Sequence, residues 1–158
     1  MARSGLAKFW HRVGAAALDA VLVGVAAYVL VAAAHLYTTT HIHGRSTSLI
    51  HLWPAAVVWL LYAGALECRP GRRNGQTFGK QAADIRVAGA NGKAIGLTTA
   101  LVREGIGRAL PFALATITPP LAALWALYFV ADCIWPLWDK QNRTLHDRLA
   151  GTTVTQSP

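Results

Sequence analysis

Long apolar stretches separated by basic ones dominate the chain. Val13 to Ala34 holds a single charge, Asp19; Leu52 to Leu66 holds none; Ala109 to Trp138 holds one, Asp132. A bilayer core about 30 Å thick takes about 20 mostly apolar residues as a helix. The first and third blocks are long enough, and the second becomes so with its flanks. Pro119-Pro120 interrupts the third block. Proline breaks a helix and pushes the residue before it out of helical space. The pattern therefore predicts an all-α integral membrane protein, a compact bundle of four membrane helices at about 10–34, 50–67, 97–117 and 121–138. Without the proline break, three spans are the alternative.

Between these blocks the pattern changes. In the 68–96 loop, Ile85-Arg86-Val87 followed by Ala90-Asn91-Gly92-Lys93 reads as a short strand and turn, since Asn-Gly suits a hairpin. Thr152 to Thr155 is a second β-prone stretch. A small β-hairpin, or a sheet joining the two stretches, is expected beside the bundle. The tail runs from 139 to 158. One domain, 1–158, is expected from the length.

Charge orients the helices. Only Arg45 lies between the first two blocks; the other Lys and Arg residues lie before block one, in the 68–96 loop, around Arg103 and Arg108, or in the tail. The positive-inside bias places the N-terminus, the 68–96 loop and, with four spans, the tail in the cytoplasm of a cell with a bacterial-type inner membrane. The first apolar run is too long for a signal peptide and lacks a cleavage pattern, so it is expected to stay in the mature chain. The net charge of +8 matches anionic lipid at the cytoplasmic face, not nucleic acid, because no recognition helix, zinc finger or aromatic-basic alternation accompanies it. Cys68 and Cys133 read as small buried residues rather than as a disulfide or zinc framework.

Candidate chemistry sits on the few charges inside the blocks. Arg12 and Asp19 are seven residues apart and share a helix face to within about 20°. Asp19 then lies roughly 10 Å deeper than Arg12. Asp132 and Asp139 repeat the spacing in mirror sense, so four spans put Asp19 and Asp132 at similar depth. Buried carboxylates are costly in a bilayer and need partners or water. Asp19 and Asp132 are therefore candidate cation- or proton-binding groups, with Arg12, Arg103 and Arg108 as charge partners. The alternative is that each aspartate pairs with one of these arginines and fixes helix packing. Glu104 and Arg108 are four apart, the spacing of a local ion pair, on a helix whose start is amphipathic and suited to lipid headgroups. His35, His41, His43 and His51 crowd the outer loop, where no acidic or Cys partner accompanies them; no metal site is expected, and pH sensing is an open alternative. Gly75 to Lys80 has three residues between its glycines where a phosphate loop has four, so no nucleotide cofactor is expected. No nucleophile elbow or zinc-protease motif is present, and the chain does not read as an enzyme.

Three segments taken together resemble the RDD family of bacterial membrane proteins. They are Phe9-Trp10-His11-Arg12 with Asp19; Gly75-Gln76-Thr77-Phe78-Gly79-Lys80 with Ile85-Arg86-Val87 and Asn91-Gly92; and Trp135-Pro136-Leu137-Trp138-Asp139 with Arg143 to Thr152. The resemblance covers nearly the whole chain. It implies that Arg12, Asp19, Asp139 and Asp147 are family-motif positions, with Asp147 as the second named aspartate. One departure is Ala82-Ala83, where the family's segment is usually followed by a bulkier apolar pair. The family is associated with transport. Some relatives are linked to sodium–proton exchange, and a eukaryotic relative resembles an assembly factor.

Two functions are expected on these grounds. One is exchange of a monovalent cation such as sodium for protons, or transport of a small solute, in a homo-oligomer that encloses the path. The other is a non-transporting membrane scaffold or assembly factor.

Overall fold

A computed structural model describes residues 5–34, 37–42, 45–50, 53–89 and 92–157, the two short segments 37–42 and 45–50 by their backbone. It is mostly helical. α1 (Phe9–Ala33) is followed by β1 (Tyr37–Ile42), β2 (Arg45–Ile50) and α2 (Trp53–Glu67). Then come α3 (Phe78–Ala82) and β3 (Ile85–Ala88). A continuous rod follows, made of α4 (Leu97–Ala100), a π-helical stretch (Leu101–Ala109) and α5 (Leu110–Ala115). α6 (Pro119–Ile134) runs on into a 3-10 turn (Trp135–Leu137); α7 (Leu145–Leu149) and β4 (Thr153–Gln156) complete the described chain.

Among the described residues two helices, Phe9–Ala33 and Pro119–Leu137, are long and apolar enough to cross a membrane. α2 is apolar but shorter. Its start at Trp53 is later than the expected position 50, because the preceding segment pairs as β2 instead. The proline pair splits the third block as expected, but the second helix starts earlier than position 121. Thr118 is extended, at φ −144° and ψ 151°, and the helix begins on Pro119 itself. A first-turn residue has no intrahelical use for its N–H, so proline starts a helix as readily as it stops one. α5 and α6 then pack against each other as a helical hairpin.

The sheet expected to join the two β-prone stretches forms, in place of a local hairpin at 85–93. β3 pairs antiparallel with β4, in the register Ile85 with Gln156 and Ala88 with Thr153. The turn after it closes through Gly89 N–H to the Lys93 carbonyl. A hairpin of β1 and β2 lies between α1 and α2, with Ile42 opposite Arg45. His35, His43 and His51 lie outside the described residues, and His41 is described by its backbone alone.

The sheet, α3 and α7 form a cap over one end of the long helices. A small apolar core of Ala7, Ala15, Ile85, Val87, Ile95 and Val154 holds the sheet against the start of α1. Both chain ends meet there: Ala7 N–H donates to the Val154 carbonyl, and Leu6 bridges Thr155. Gly75 must be glycine, because its φ is +76° and a Cβ would lie 2.0 Å from the Val87 carbonyl oxygen.

Burial runs opposite to that of a soluble domain. The large side chains with least exposure include Arg103, Glu67, Glu104, His146, Asp19 and Asp147. The outer faces of α1 and α6 carry exposed Val21, Val25, Tyr28, Leu124, Leu127 and Val130. In α6 only Asp132 is buried. An apolar surface this extensive needs an apolar solvent.

Candidate functional site

Each membrane-helix aspartate holds the N-terminus of one short cap helix. Thr77 is the N-cap of α3, and its hydroxyl accepts from Lys80 N–H. Thr144 is the N-cap of α7 and forms a capping box with Asp147. A helix start leaves N–H groups without intrahelical partners, and a carboxylate satisfies them well. Asp19 of α1 accepts from Gly79 N–H at 2.7 Å; Asp132 of α6 accepts from His146 N–H at 3.0 Å. Both donors are the second residue of their helix.

The remaining donors differ. Asp19 also accepts from the Thr77 hydroxyl at 2.5 Å and the Tyr62 hydroxyl at 2.6 Å. Asp132 accepts from His146 Nδ1 at 2.7 Å. The tautomer follows from the other ring nitrogen. His146 Nε2 lies 3.2 Å from Arg103 Nη2, which can only donate, so Nε2 accepts and Nδ1 carries the proton. Burial, reinforced by the positive charge of Arg108, pushes His146 down to about 4. It is neutral near pH 7.

The third residue of each cap helix enters one ion network. Lys80 Nζ donates to Glu67 Oε1 at 2.8 Å, and Arg103 Nη1 donates to the same oxygen at 2.8 Å. Arg103 also pairs with Glu104 and reaches Asp147 Oδ1 at 2.9 Å. Asp147 pairs in turn with Arg12, whose guanidinium donates to the Asn142 carbonyl as well. Burial alone would raise Asp147, but Arg103 above all holds it well below the usual carboxylate range. Glu104 is further held by Trp59 Nε1 at 2.8 Å and by Arg108 at 3.5 Å. Two buried side-chain atoms among the described residues lack a partner, Glu67 Oε2 and Arg86 Nε.

Two glycines allow the close approach. A Cβ on Gly79 would lie 2.1 Å from the Ala15 carbonyl oxygen. A Cβ on Gly107 would lie 2.6 Å from His146 Cβ. The Gly107 carbonyl also accepts from Tyr128 at 2.6 Å, tying the π-helical stretch to α6.

The expected site is rearranged in several respects. Asp19 and Asp132 share no partner. Arg12 pairs with Asp147 rather than Asp19, seven residues along its own helix, because the tail folds back onto the start of α1. Arg103 and Arg108 form ion pairs with Glu67, Glu104 and Asp147, and with neither candidate aspartate. The Glu104–Arg108 pair forms as its spacing suggests. Asp139 pairs with Arg143, whose hydrogen bond draws it down to about 2. Neither cysteine is buried: Cys68 is half-buried, and Cys133, the residue after the buried Asp132, is exposed. Sequence reasoning passed over Glu67, Lys80 and His146 as network members. Thr144-x-x-Asp147 carries the spacing of a capping box and could have flagged α7. Glu67, the lone carboxylate closing an apolar block, could have been flagged as Asp19 was. Among the described residues no cluster of His, Cys, Asp and Glu could hold a metal ion.

The sequence model of the RDD family matches residues 6–151, nearly the whole chain. No curated protein and no solved structure matches it. The chain belongs to the RDD family.

Proposed function

We propose that this RDD family member is a multi-pass protein of the bacterial cytoplasmic membrane that acts as a non-transporting, non-enzymatic scaffold or assembly factor. The observation that carries this reading is the use made of its two membrane-helix aspartates. Each is taken up by the backbone N-terminus of a cap helix, so each serves to lock the cap to the bundle. Four helices crossing in alternate directions account for one further fact. Arg12 near the start of α1, Glu67 ending α2, Arg103 early in the rod and Asp132 late in α6 all reach one network or its His146 neighbour. The bonded chain ends support an even number of crossings, with both termini cytoplasmic. Exposed Arg72 and Arg73 at the cap end of α2 suit anionic lipid of that leaflet. The apolar outer faces would meet lipid, further copies or client membrane helices.

A second reading, exchange of sodium or another monovalent cation for protons in a homo-oligomer, has one observation in its favour. Asp19 is buried and accepts from neutral donors, with no cation paired to it among the described residues. Sodium-driven proton movement in proteoliposomes with a trapped pH dye separates the two. The scaffold gives a flat trace with sodium, potassium and lithium, and Asp19→Asn lowers its melting temperature. A sodium-dependent signal that Asp19→Asn abolishes without loss of folding would establish exchange instead.

A further inference from the structure

A cleft on the outside of α1 shares Gly79, the backbone donor to Asp19, with the site described above, and its other lining residues lie outside that site. Its polar arm, about 450 Å³, is lined by His11, Ala82, Ala83, Asp84, Gln156 and Ser157. Its apolar arm, about 260 Å³, continues past His11 along α1 over Trp10, Gly14, Ala15 and Leu18. The two arms share His11, Ala82 and Ala83 and so form one bent groove. Its floor is the seam where α3 lies on α1 with backbones in near contact at Gly79 and Ala15. The small side chains at Gly14, Ala82 and Ala83 leave the groove open above that seam. Trp10 and Leu18, both exposed, form its apolar wall.

We propose that this groove holds one phospholipid of the cap-side leaflet, selected for a primary-ammonium headgroup. The proposal rests on the membrane reading above. The apolar arm runs along the same helix whose Val21, Leu22, Val25 and Val29 are exposed, so it is continuous with the surface that acyl chains would cover. The polar arm opens at the cap, where a headgroup would lie. Asp84 supplies an exposed carboxylate with no side-chain partner among the described residues, a match for an ammonium. His11, Gln156 and Ser157 supply donors for a phosphodiester. A soluble anion would leave the apolar arm empty, and a purely anionic headgroup would face Asp84 with like charge.

The test uses the full chain in phosphatidylcholine vesicles carrying a trace of photoactivatable phosphatidylethanolamine or, separately, phosphatidylglycerol. Labelling by the ethanolamine lipid should map to peptides containing Trp10–Leu18 and Ala82–Asp84. It should exceed labelling by the glycerol lipid by up to about fivefold, the scale of one solvent-exposed ion pair. Asp84→Asn, tolerated at its φ of +52°, should bring the two lipids level. Ala82→Trp, on an exposed position, should fill the groove and remove labelling by both. Unchanged melting of both variants shows that they fold. Equal labelling of the wild type by the two lipids, labelling spread along α6, or labelling that survives Ala82→Trp would overturn the proposal. Alkaline extraction of the same membranes reports on the membrane reading separately, since a peripheral protein would be released.

Discussion

The Asp19 and Asp132 clamps use the same grammar with different donors. In both, a threonine N-cap starts a five-residue helix, and a carboxylate from a long helix accepts the N–H of its second residue. At Asp19 that residue is Gly79, and the other donors are hydroxyls. At Asp132 it is His146, whose ring supplies the further donor. The glycine that makes room also changes sides. It lies in the cap helix at the first clamp and in the opposing rod, as Gly107, at the second. The lesson is that the two aspartates buried in the long helices are anchors for backbone. Only one of the two anchors contains a group that titrates near neutrality when unfolded.

Removing the hub should break both clamps together and gives the largest effect. Arg103 joins Glu67, which holds Lys80 of α3, to Asp147 of α7. Arg103→Gln leaves buried carboxylates without their cation, a loss of about 3–5 kcal/mol for a buried pair broken on one side. Thermal melting in detergent should show the variant unfolded or far less stable. A change confined to the α7 end, seen by hydrogen exchange, would show that the clamps are independent.

Acid should separate the two clamps, with the next largest effect. The folded His146 sits at about 4, below its ordinary 6.5, because burial disfavours its charged form. The unfolded chain therefore binds the proton first. Stability contributed by neutral His146 is complete above about pH 6.5 and is lost as pH falls towards 4, by about 3 kcal/mol over that window. A protonated ring would also point an N–H at the Arg103 guanidinium. His146→Gln should flatten the melting-temperature profile between pH 6.5 and 4, while Asp19→Asn should lower the curve and keep the step. A step that persists in His146→Gln would assign it to another group.

How much of this was legible beforehand depends on whether a feature is local. The blocks around α1 and α6, the break before Pro119, the β-prone stretches and the Glu104–Arg108 pair are written in hydropathy, proline and short spacing. Asp19 and Asp132, which stand out in the sequence as charges inside apolar blocks, are both buried. Their partners were not legible, because Thr77 and His146 arrive from loops whose return path depends on the β3–β4 pairing of distant segments. The same long return brings Asp147 to Arg12, across 135 residues of chain. The β1–β2 hairpin leaves little trace in the hydropathy pattern. The alternation in Tyr37 to Ile50 is weak, with threonine and serine at most positions.

The two glycines allow a matched test at the scale of core overpacking, about 1–3 kcal/mol. Gly79→Ala sets a Cβ against the fixed backbone oxygen of Ala15 and against Asp19 Cγ at 2.8 Å. Gly107→Ala meets a side-chain carbon of His146 at 2.6 Å, which α7 can relieve by a small shift. Gly79→Ala should therefore cost more in melting temperature, and Gly107→Ala should chiefly alter the acid step, since it moves the ring. Equal losses with unchanged acid profiles would mean that neither glycine tunes its clamp.

The smallest effect is expected at Asp139, which fixes the segment leading into the second clamp. Its carboxylate accepts from Gln141 and Arg143 N–H groups at 3.0 Å each and from Arg143 Nε at 3.1 Å. The Arg143 side chain is partly exposed, and such pairs contribute about 1 kcal/mol or less. Because Asp139 sits at about 2 in the folded chain, its contribution is complete above the ordinary carboxylate range and is lost as pH falls from about 4 towards 2. That window lies below the His146 step. Asp139→Asn should therefore leave the profile between pH 6.5 and 4 intact and flatten it only at lower pH. If Asp139→Asn instead erases the higher step, the turn at 139–144 rather than the imidazole sets the acid response of the Asp132 clamp, and the contrast between the clamps is one of loop geometry, not of titration.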